Sequence, residues 1–288
     1  MTPTMPAYVT PLGTQSTKPK EVEIKPRNRS HNIDTALQGE WLDNNAFLTA
    51  FFNGMSITFP VGEKFFIDSV RYYADQITDP ALKEDIRGFC GQEGFHRREH
   101  QIYNETLCTA RGYNLDTLEG SLTKRLGWAQ KNLPPLTNLA ITVAIEHFTA
   151  VLAELLLRPQ SILNTANPSM RDLWRWHAAE EMEHKSVAFD VYKAVGGTEE
   201  LRIGIMRRVS VLMSLEIIKA LFYILRKDGR LFNVQLWRAG IAGLFGKRGA
   251  FHGGWSPYKA FYAKDFHPWQ QDTRELLAQW AAEPLLSN

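Results

Sequence analysis

Four glutamates and three histidines in this chain have the types and spacing to bind metal ions. In the stretch Trp174 to Asp190, His177, Glu181 and His184 follow one another at intervals of four and three residues. At roughly 100° per residue they fall within about a 60° arc of a helix, on the side that also carries Met170, Ala188 and Val191. That side is apolar, and burying a carboxylate and two imidazoles there without partners would cost several kcal/mol. A metal ion is the simplest compensation. Glu180 lies at the edge of the arc, whereas Glu183 and Lys185 point away from it and are expected in solvent. A second Glu-x-x-His occurs at Glu93 and His96, beside Ile86 and Phe89. Glu63 shares a stripe with Phe59, Phe66, Ile67 and Val70, and Glu146 shares one with Leu139, Thr142, Ala150, Ala153 and Leu157.

The elements that must position these residues read as helices, and no strand-like alternation of any length interrupts them. Residues 1–36 are rich in Pro, Thr and Lys and form an extended or wrapping arm without helical period. A first helix spans about Thr35 to Phe51, with Trp41, Phe47, Leu48 and Phe51 as its stripe. Ser56 or Thr58 then caps a new helix with Pro60 in its first turn, which carries Glu63. Asp79-Pro80 breaks the chain before a long helix bearing Glu93 and His96. Gly88, Gly91 and Gly94 on that helix each cost roughly 1 kcal/mol against Ala, so a neighbouring helix or a substrate is expected to approach there. Gly112 to Pro135 reads as a connection. A third helix carries Glu146 and ends at Pro159, and a fourth runs from Pro168 to Gly196-Gly197.

Folding the first helical pair at Asp79-Pro80 puts Glu63 about sixteen residues before the turn and Glu93 and His96 about fourteen to sixteen after it, at one height. Folding the second pair at the Pro159 to Pro168 connection sets Glu146 level with Glu181 and His184. Each hairpin thus offers one Glu from its first helix and Glu-x-x-His from its second, the pattern of ferritin-like dinuclear carboxylate bundles with one long crossover. Four glutamates offset two divalent cations, and neutral imidazoles complete the set. The competing reading is a bundle held by buried Glu/His or Glu/Arg hydrogen bonds.

The segments FFNGMSITFPVGEKFF, GFCGQEGFHRREH, AIEHFTAVLAE and WRWHAAEEMEHKSVAFDVY resemble a bacterial family catalogued as predicted metal-dependent hydrolases, over roughly Trp41 to the end of the chain. The resemblance implies an all-α, ferritin-like four-helix bundle with added N- and C-terminal helices. It also implies Glu63, Glu93, His96, Glu146, Glu181 and His184 as ligands, the same six. His177 completes His-x-x-x-Glu-x-x-His, which is similar to arylamine N-oxygenases, where an extra histidine binds one iron. Its alternative role is to orient a ligating carboxylate. His100 reads as a supporting histidine, His147 and Glu154 as packed or solvent-facing, and His267 as structural.

Three divisions follow: the arm 1–36, the bundle 37–198 and a C-terminal helical extension 199–288 packing on it. The segment 199–250 carries ten Lys/Arg against four Asp/Glu. Arg207, Arg208, Glu216 and Lys219 exclude a membrane span there. The segment either lines a substrate channel or lies peripherally on an anionic membrane. A formal charge of +2, with no zinc-finger spacing or Lys/Arg block, gives no reason to expect nucleic acid. Cys90 and Cys108 lie too far apart on one helix to bridge, which with an N-terminus lacking a signal-peptide core points to the cytoplasm.

The leading expectation is a non-haem enzyme with two divalent metal ions, most naturally iron, that oxidises or oxygenates a small, largely apolar organic substrate, an amine among the candidates. Electrons would come from a separate reductase. A dinuclear metal-dependent hydrolase is the first alternative, with manganese or zinc serving in place of iron. Non-catalytic iron handling or metal binding is the second. The assembly state stays open, with a homodimer among the choices.

Overall fold

The computed structural model describes residues 15–283, and among these the architecture is all-α, with one isolated bridge between Leu42 and Ala166. A four-helix core is formed by α2 (Ala46–Arg71), α3 (Pro80–Arg111), α5 (Pro135–Leu157) and α6 (Pro168–His184). α2 pairs with α3 and α5 with α6, and the hairpins meet through α2 on α5 and α3 on α6. The chain is a ferritin-like bundle. Side-chain caps define the helix starts: the Asn45 carbonyl accepts from Phe47 and Leu48 N–H, Asp79 from Leu82, and Asn167 from Ser169. α5 is long and apolar enough to cross a membrane. Here it packs against α6 and turns Glu146 inward.

Four local expectations are corrected. The helix expected to end at Phe51 and the one expected to start at Pro60 are a single helix, α2, preceded only by the short turn α1 (Asp34–Leu37). Pro60 sits in its interior. Gly112 to Pro135 contains a helix, α4 (Leu115–Asn132), whose Leu118, Leu126 and Ala129 face the core at helical spacing despite Gly120 and Gly127. The long crossover is therefore itself helical. The fourth helix stops at His184 and resumes as α7 (Val187–Ala194). The break falls where Lys185 donates to the Gln271 carbonyl at 2.6 Å and Ser186 accepts from the Trp269 indole at 3.1 Å, both in the C-terminal segment. Finally, Glu183 and Lys185 are buried rather than solvated. The arm and the C-terminal segment cover the side of α6 that would otherwise face water.

α8 (Glu199–Lys227) lies across α2 and α5, and α9 (Val234–Phe245) packs on α2. Ala220, Leu221 and Ile224 of α8 join the same apolar cluster as Phe47, Phe52 and Trp174. The C-terminal helices thus complete the bundle's core. After them come α10 (Trp255–Ala260) and α11 (Arg274–Ala281).

Residues 15–33 run extended over α3 and α6. A Cβ on Gly88 would meet the Ile24 carbonyl at 2.6 Å, and one on Gly91 would meet Pro26 at 2.5 Å. These two glycines admit the arm, not a helix or a substrate, while Gly94 has open space beside it. Thr17 ties the arm to Asp190, with Oγ1 2.7 Å from His267 Nε2. His31 clips it between Glu99 and Asp172, at 3.4 and 3.3 Å.

Candidate metal centre

All seven expected residues converge inside the bundle, each at most 5% exposed. Glu63 arrives from α2, Glu93 and His96 from α3, Glu146 from α5, and His177, Glu181 and His184 from α6. Spacings of three and four residues stack side chains on one helix face, which is why a few positions per helix suffice. The donors form two groups whose atoms lie within 4.8 Å of one another: Glu63, His96 and His177, and Glu93, Glu146, Glu181 and His184. Glu181 joins them. Its Oε1 is 3.0 Å from His177 Nε2, 3.5 Å from His96 Nδ1 and 3.6 Å from His184 Nε2. His184 Nε2 also lies 3.2 Å from Glu93 and 3.5 Å from Glu146.

The inward-facing atoms lack hydrogen-bond partners. Both oxygens of Glu63, Glu93 and Glu146, Glu181 Oε2, His96 Nδ1 and His184 Nε2 are buried and unpaired. Such atoms are rare in folded proteins, and each costs about 1–3 kcal/mol, more when charged. By themselves the side chains can offset their charges only with protons. Burial and Glu93 push the Glu63 carboxyl well above its usual range, and burial with Glu181 and Glu93 does the same to Glu146. Although burial opposes it, the Glu180 and Glu181 carboxylates hold the His96 imidazole up to about 10. Against burial likewise, His184 and then His96 keep the Glu181 carboxyl well below the usual carboxylate range. A cluster of orphaned, buried carboxylate and imidazole atoms fits divalent cations, which would replace those protons.

The outward-facing atoms are firmly held. His96 Nε2–H donates to Glu180 at 3.0 Å, and His184 Nδ1–H donates to the Gln92 carbonyl at 2.9 Å. Gln92 Nε2 donates to Glu183 at 2.6 Å. Arg27 of the arm pairs with Glu180 at 3.1 Å and with Glu183 at 2.6 Å. One guanidinium therefore stands behind two imidazoles, fixing which nitrogen of each turns inward.

His177 is fixed from the other side, and the chain of bonds begins at Pro60. Lacking an N–H, Pro60 cannot bond the Ser56 carbonyl four residues back. Asn104 Nδ2 donates to that carbonyl instead, at 3.0 Å, which turns Asn104 Oδ1 towards the Ser56 hydroxyl. Ser56 spends its one hydrogen on Asn104 Oδ1 at 2.7 Å. Its 2.8 Å contact with His100 Nδ1 must then be accepted from the ring. Burial and His177 hold His100 neutral, its pKa well below the usual value, so Nε2 carries a lone pair. That lone pair accepts from His177 Nδ1–H at 2.7 Å. Burial and His96 lower the His177 pKa to about 4, and its Nε2 lies 3.0 Å from Glu181 and 3.9 Å from Glu63, where with the ring proton on Nδ1 it would turn a lone pair to an ion.

Sequence reasoning missed Glu180, Gln92, Ser56, Asn104 and Arg27 as partners of the centre. Glu180 and Gln92 each sit next to a predicted site residue, a signal that was available. Arg27 lies in a segment without period, and nothing local marks it. His147 donates to the Pro257 carbonyl at 3.2 Å, and Glu154 pairs with Arg158 at 2.5 Å, both apart from the cluster.

Beside the centre lies an apolar cavity of about 990 Å³, bounded by α2, α4, α5, α8 and α9. Phe59, Phe66, Ile145, Phe148, Met213 and Ile217 contribute to its wall, and Glu63, His177 and Glu181 reach it from the centre.

Fold and site together define a helical carboxylate-bundle protein with a buried histidine–glutamate centre suited to divalent metal ions. The chain belongs to the family described as predicted metal-dependent hydrolases, whose model matches residues 25–272. Searches of curated proteins and of solved structures find no match.

Proposed function

We propose that the chain is a dinuclear metal enzyme that hydrolyses an ester or amide bond in a largely apolar organic substrate. The observation that carries this is the sharing of Glu63, His177 and Glu181 between the metal-competent cluster and the wall of the apolar cavity. Glu63, His96 and His177 would hold one ion, and Glu93, Glu146, Glu181 and His184 the other. Two divalent ions held there supply a lowered pKa for bound water and polarisation of a scissile carbonyl.

The chain's own residues do the rest. The aromatic and aliphatic wall binds the apolar part of the substrate and excludes bulk water, which strengthens every charge interaction in the site. Glu63, on the wall with both oxygens unpaired, is placed to receive the proton released when water adds to the carbonyl carbon. That proton then passes to the leaving alcohol or amine as its bond to the carbonyl breaks. Arg27, Gln92, Glu180 and His100 keep the imidazoles in the tautomers that face the ions.

A second reading, O2-dependent oxidation with electrons from a reductase, is favoured by one specific feature. Four glutamates and a third histidine make an oxygen-rich donor set that tolerates two oxidation states of iron. One experiment separates the two. The metal-loaded protein is incubated with acyl esters in heavy-oxygen water, with and without O2. Label entering the released acid in the absence of O2 supports hydrolysis. Turnover that requires O2 and a reductant, with the oxygen added to the product unlabelled by the water, overturns it in favour of oxidation.

A further inference from the structure

Besides the Tyr258 hydroxyl, which is paired with Ser210 and Tyr262, the cavity's wall carries six ionisable side chains. Three of them, Glu63, His177 and Glu181, belong to the metal centre. Two more, Arg125 and Glu216, neutralise each other at 2.5 Å, with Ser121 completing the Glu216 carboxylate. The sixth is Arg208, exposed on α8 and without a carboxylate within ion-pairing distance among the described residues. Apart from these the lining is almost wholly aliphatic and aromatic. At about 990 Å³ the cavity is at the upper end of ligand sites, which run to roughly 1,000 Å³. It opens to solvent where Arg208, Leu212, Ile241 and Phe245 are exposed.

A long apolar volume with a reactive centre on its wall and one unmatched cation suits one shape of molecule. We infer that the substrate is a free single-chain amphiphile, a long alkyl or acyl chain ending in an anionic group, with the chain in the cavity and the anionic end on Arg208. This rests on the reading of the centre as the reactive site and narrows its substrate class. A chain of methylenes gains about 0.8 kcal/mol per buried CH2, roughly fourfold in affinity for each. Beyond the charges just named, the wall's polar groups are a few hydroxyls and indoles, among them Thr58 and Thr149, bonded to the Met55 and Glu146 carbonyls, and Ser210, paired with Tyr258. The guanidinium adds a charge-assisted bond that an uncharged end cannot make.

The test is displacement of a fluorescent fatty acid from the full chain by linear carboxylates from hexanoate to palmitate, and by the alcohols of equal length. Each series is run with and without Zn(II), and bound metal is counted separately. Binding should strengthen about fourfold per methylene. Arg208→Gln should weaken the carboxylates about tenfold and leave the alcohols unchanged. Met213→Trp, which fills the cavity, should abolish binding of the long chains while metal stoichiometry stays at the parent's level. Affinity independent of chain length, or an Arg208→Gln loss equal for acids and alcohols, overturns the inference. So does displacement seen only with vesicles of anionic diacyl lipid, since the ligand would then be a bilayer component. Chain binding in a protein that takes up no metal would keep the assignment of the cavity and Arg208 to an anionic amphiphile, and sink the metal-centre reading and with it that ligand's role as substrate.

Discussion

Arg27 lies on an extended arm more than sixty residues from the nearest site histidine in sequence, yet it governs two of them. Replacing it with Met keeps the stem against Trp280, over whose ring the guanidinium sits at 5.2 Å, and removes the charge. Glu180 and Glu183, both buried, then lose the only Arg or Lys paired with them among the described residues. Removing one member of a buried pair costs about 3–5 kcal/mol when the charge stays uncompensated. Arg27 is partly exposed, and water can reach the gap, so a loss of about 2–3 kcal/mol is expected in thermal or urea unfolding.

The larger consequence concerns the metal ions. A protonated Glu180 no longer forces His96 Nε2–H outward, and a protonated Glu183 releases Gln92 from His184. Loss of such supporting partners costs about 10–100-fold in metal affinity. Because Arg27 supports one imidazole in each donor group, Arg27→Met should weaken both binding steps. The assay is chelator-competition titration with Zn(II), on protein shown to be folded by circular dichroism. If stability falls as expected while both ions bind as tightly as in the parent, the arm is merely a strap and the argument for orientation fails.

Three further outcomes follow from the same geometry. His100→Phe deprives His177 Nδ1–H of its acceptor, so the proton can shift to Nε2 and bond Glu181; about 10-fold weaker binding of one ion only is expected by the same titration, with His100→Gln restoring it through its carbonyl oxygen. Loss at both steps, or no rescue, would refute the relay from Pro60. Glu146→Leu removes a buried carboxylate whose pKa burial and its neighbours raise; stripped of metal by chelation, this variant should unfold about 1–3 kcal/mol later than the parent, while failing to retain a second ion. A metal-stripped variant less stable than the stripped parent would contradict the charge argument. Burial opposes it, but Asp172 and Glu99 raise the His31 pKa above its usual 6.5. The arm's clip is therefore fully present below that value and lost as pH rises through the raised one. Trypsin cleavage within residues 18–29 should accelerate across that rise, and His31→Gln should remove the pH dependence; cleavage that slows instead would reverse the assigned sign.

The bundle and the seven residues at its centre were legible in the sequence because helical periodicity and hairpin length are local properties. A Glu or His on an apolar stripe announces itself by type, and counting residues from a Pro-marked turn sets its height. What surrounds those residues was not legible. Glu183 and Lys185 look solvent-facing on an isolated helix, and become buried only because residues 15–33 and the C-terminal segment lie against that face. Gly88 and Gly91 signal a close approach but not what approaches. Pro60 resembles a helix start, and only Asn104, brought in from α3, shows what its missing N–H does within α2. Metal-binding capacity is thus written in residue type and period. The tautomers, the unmatched charge on Arg208 and the cavity beside the centre depend on atoms distant in the chain, which no local pattern encodes.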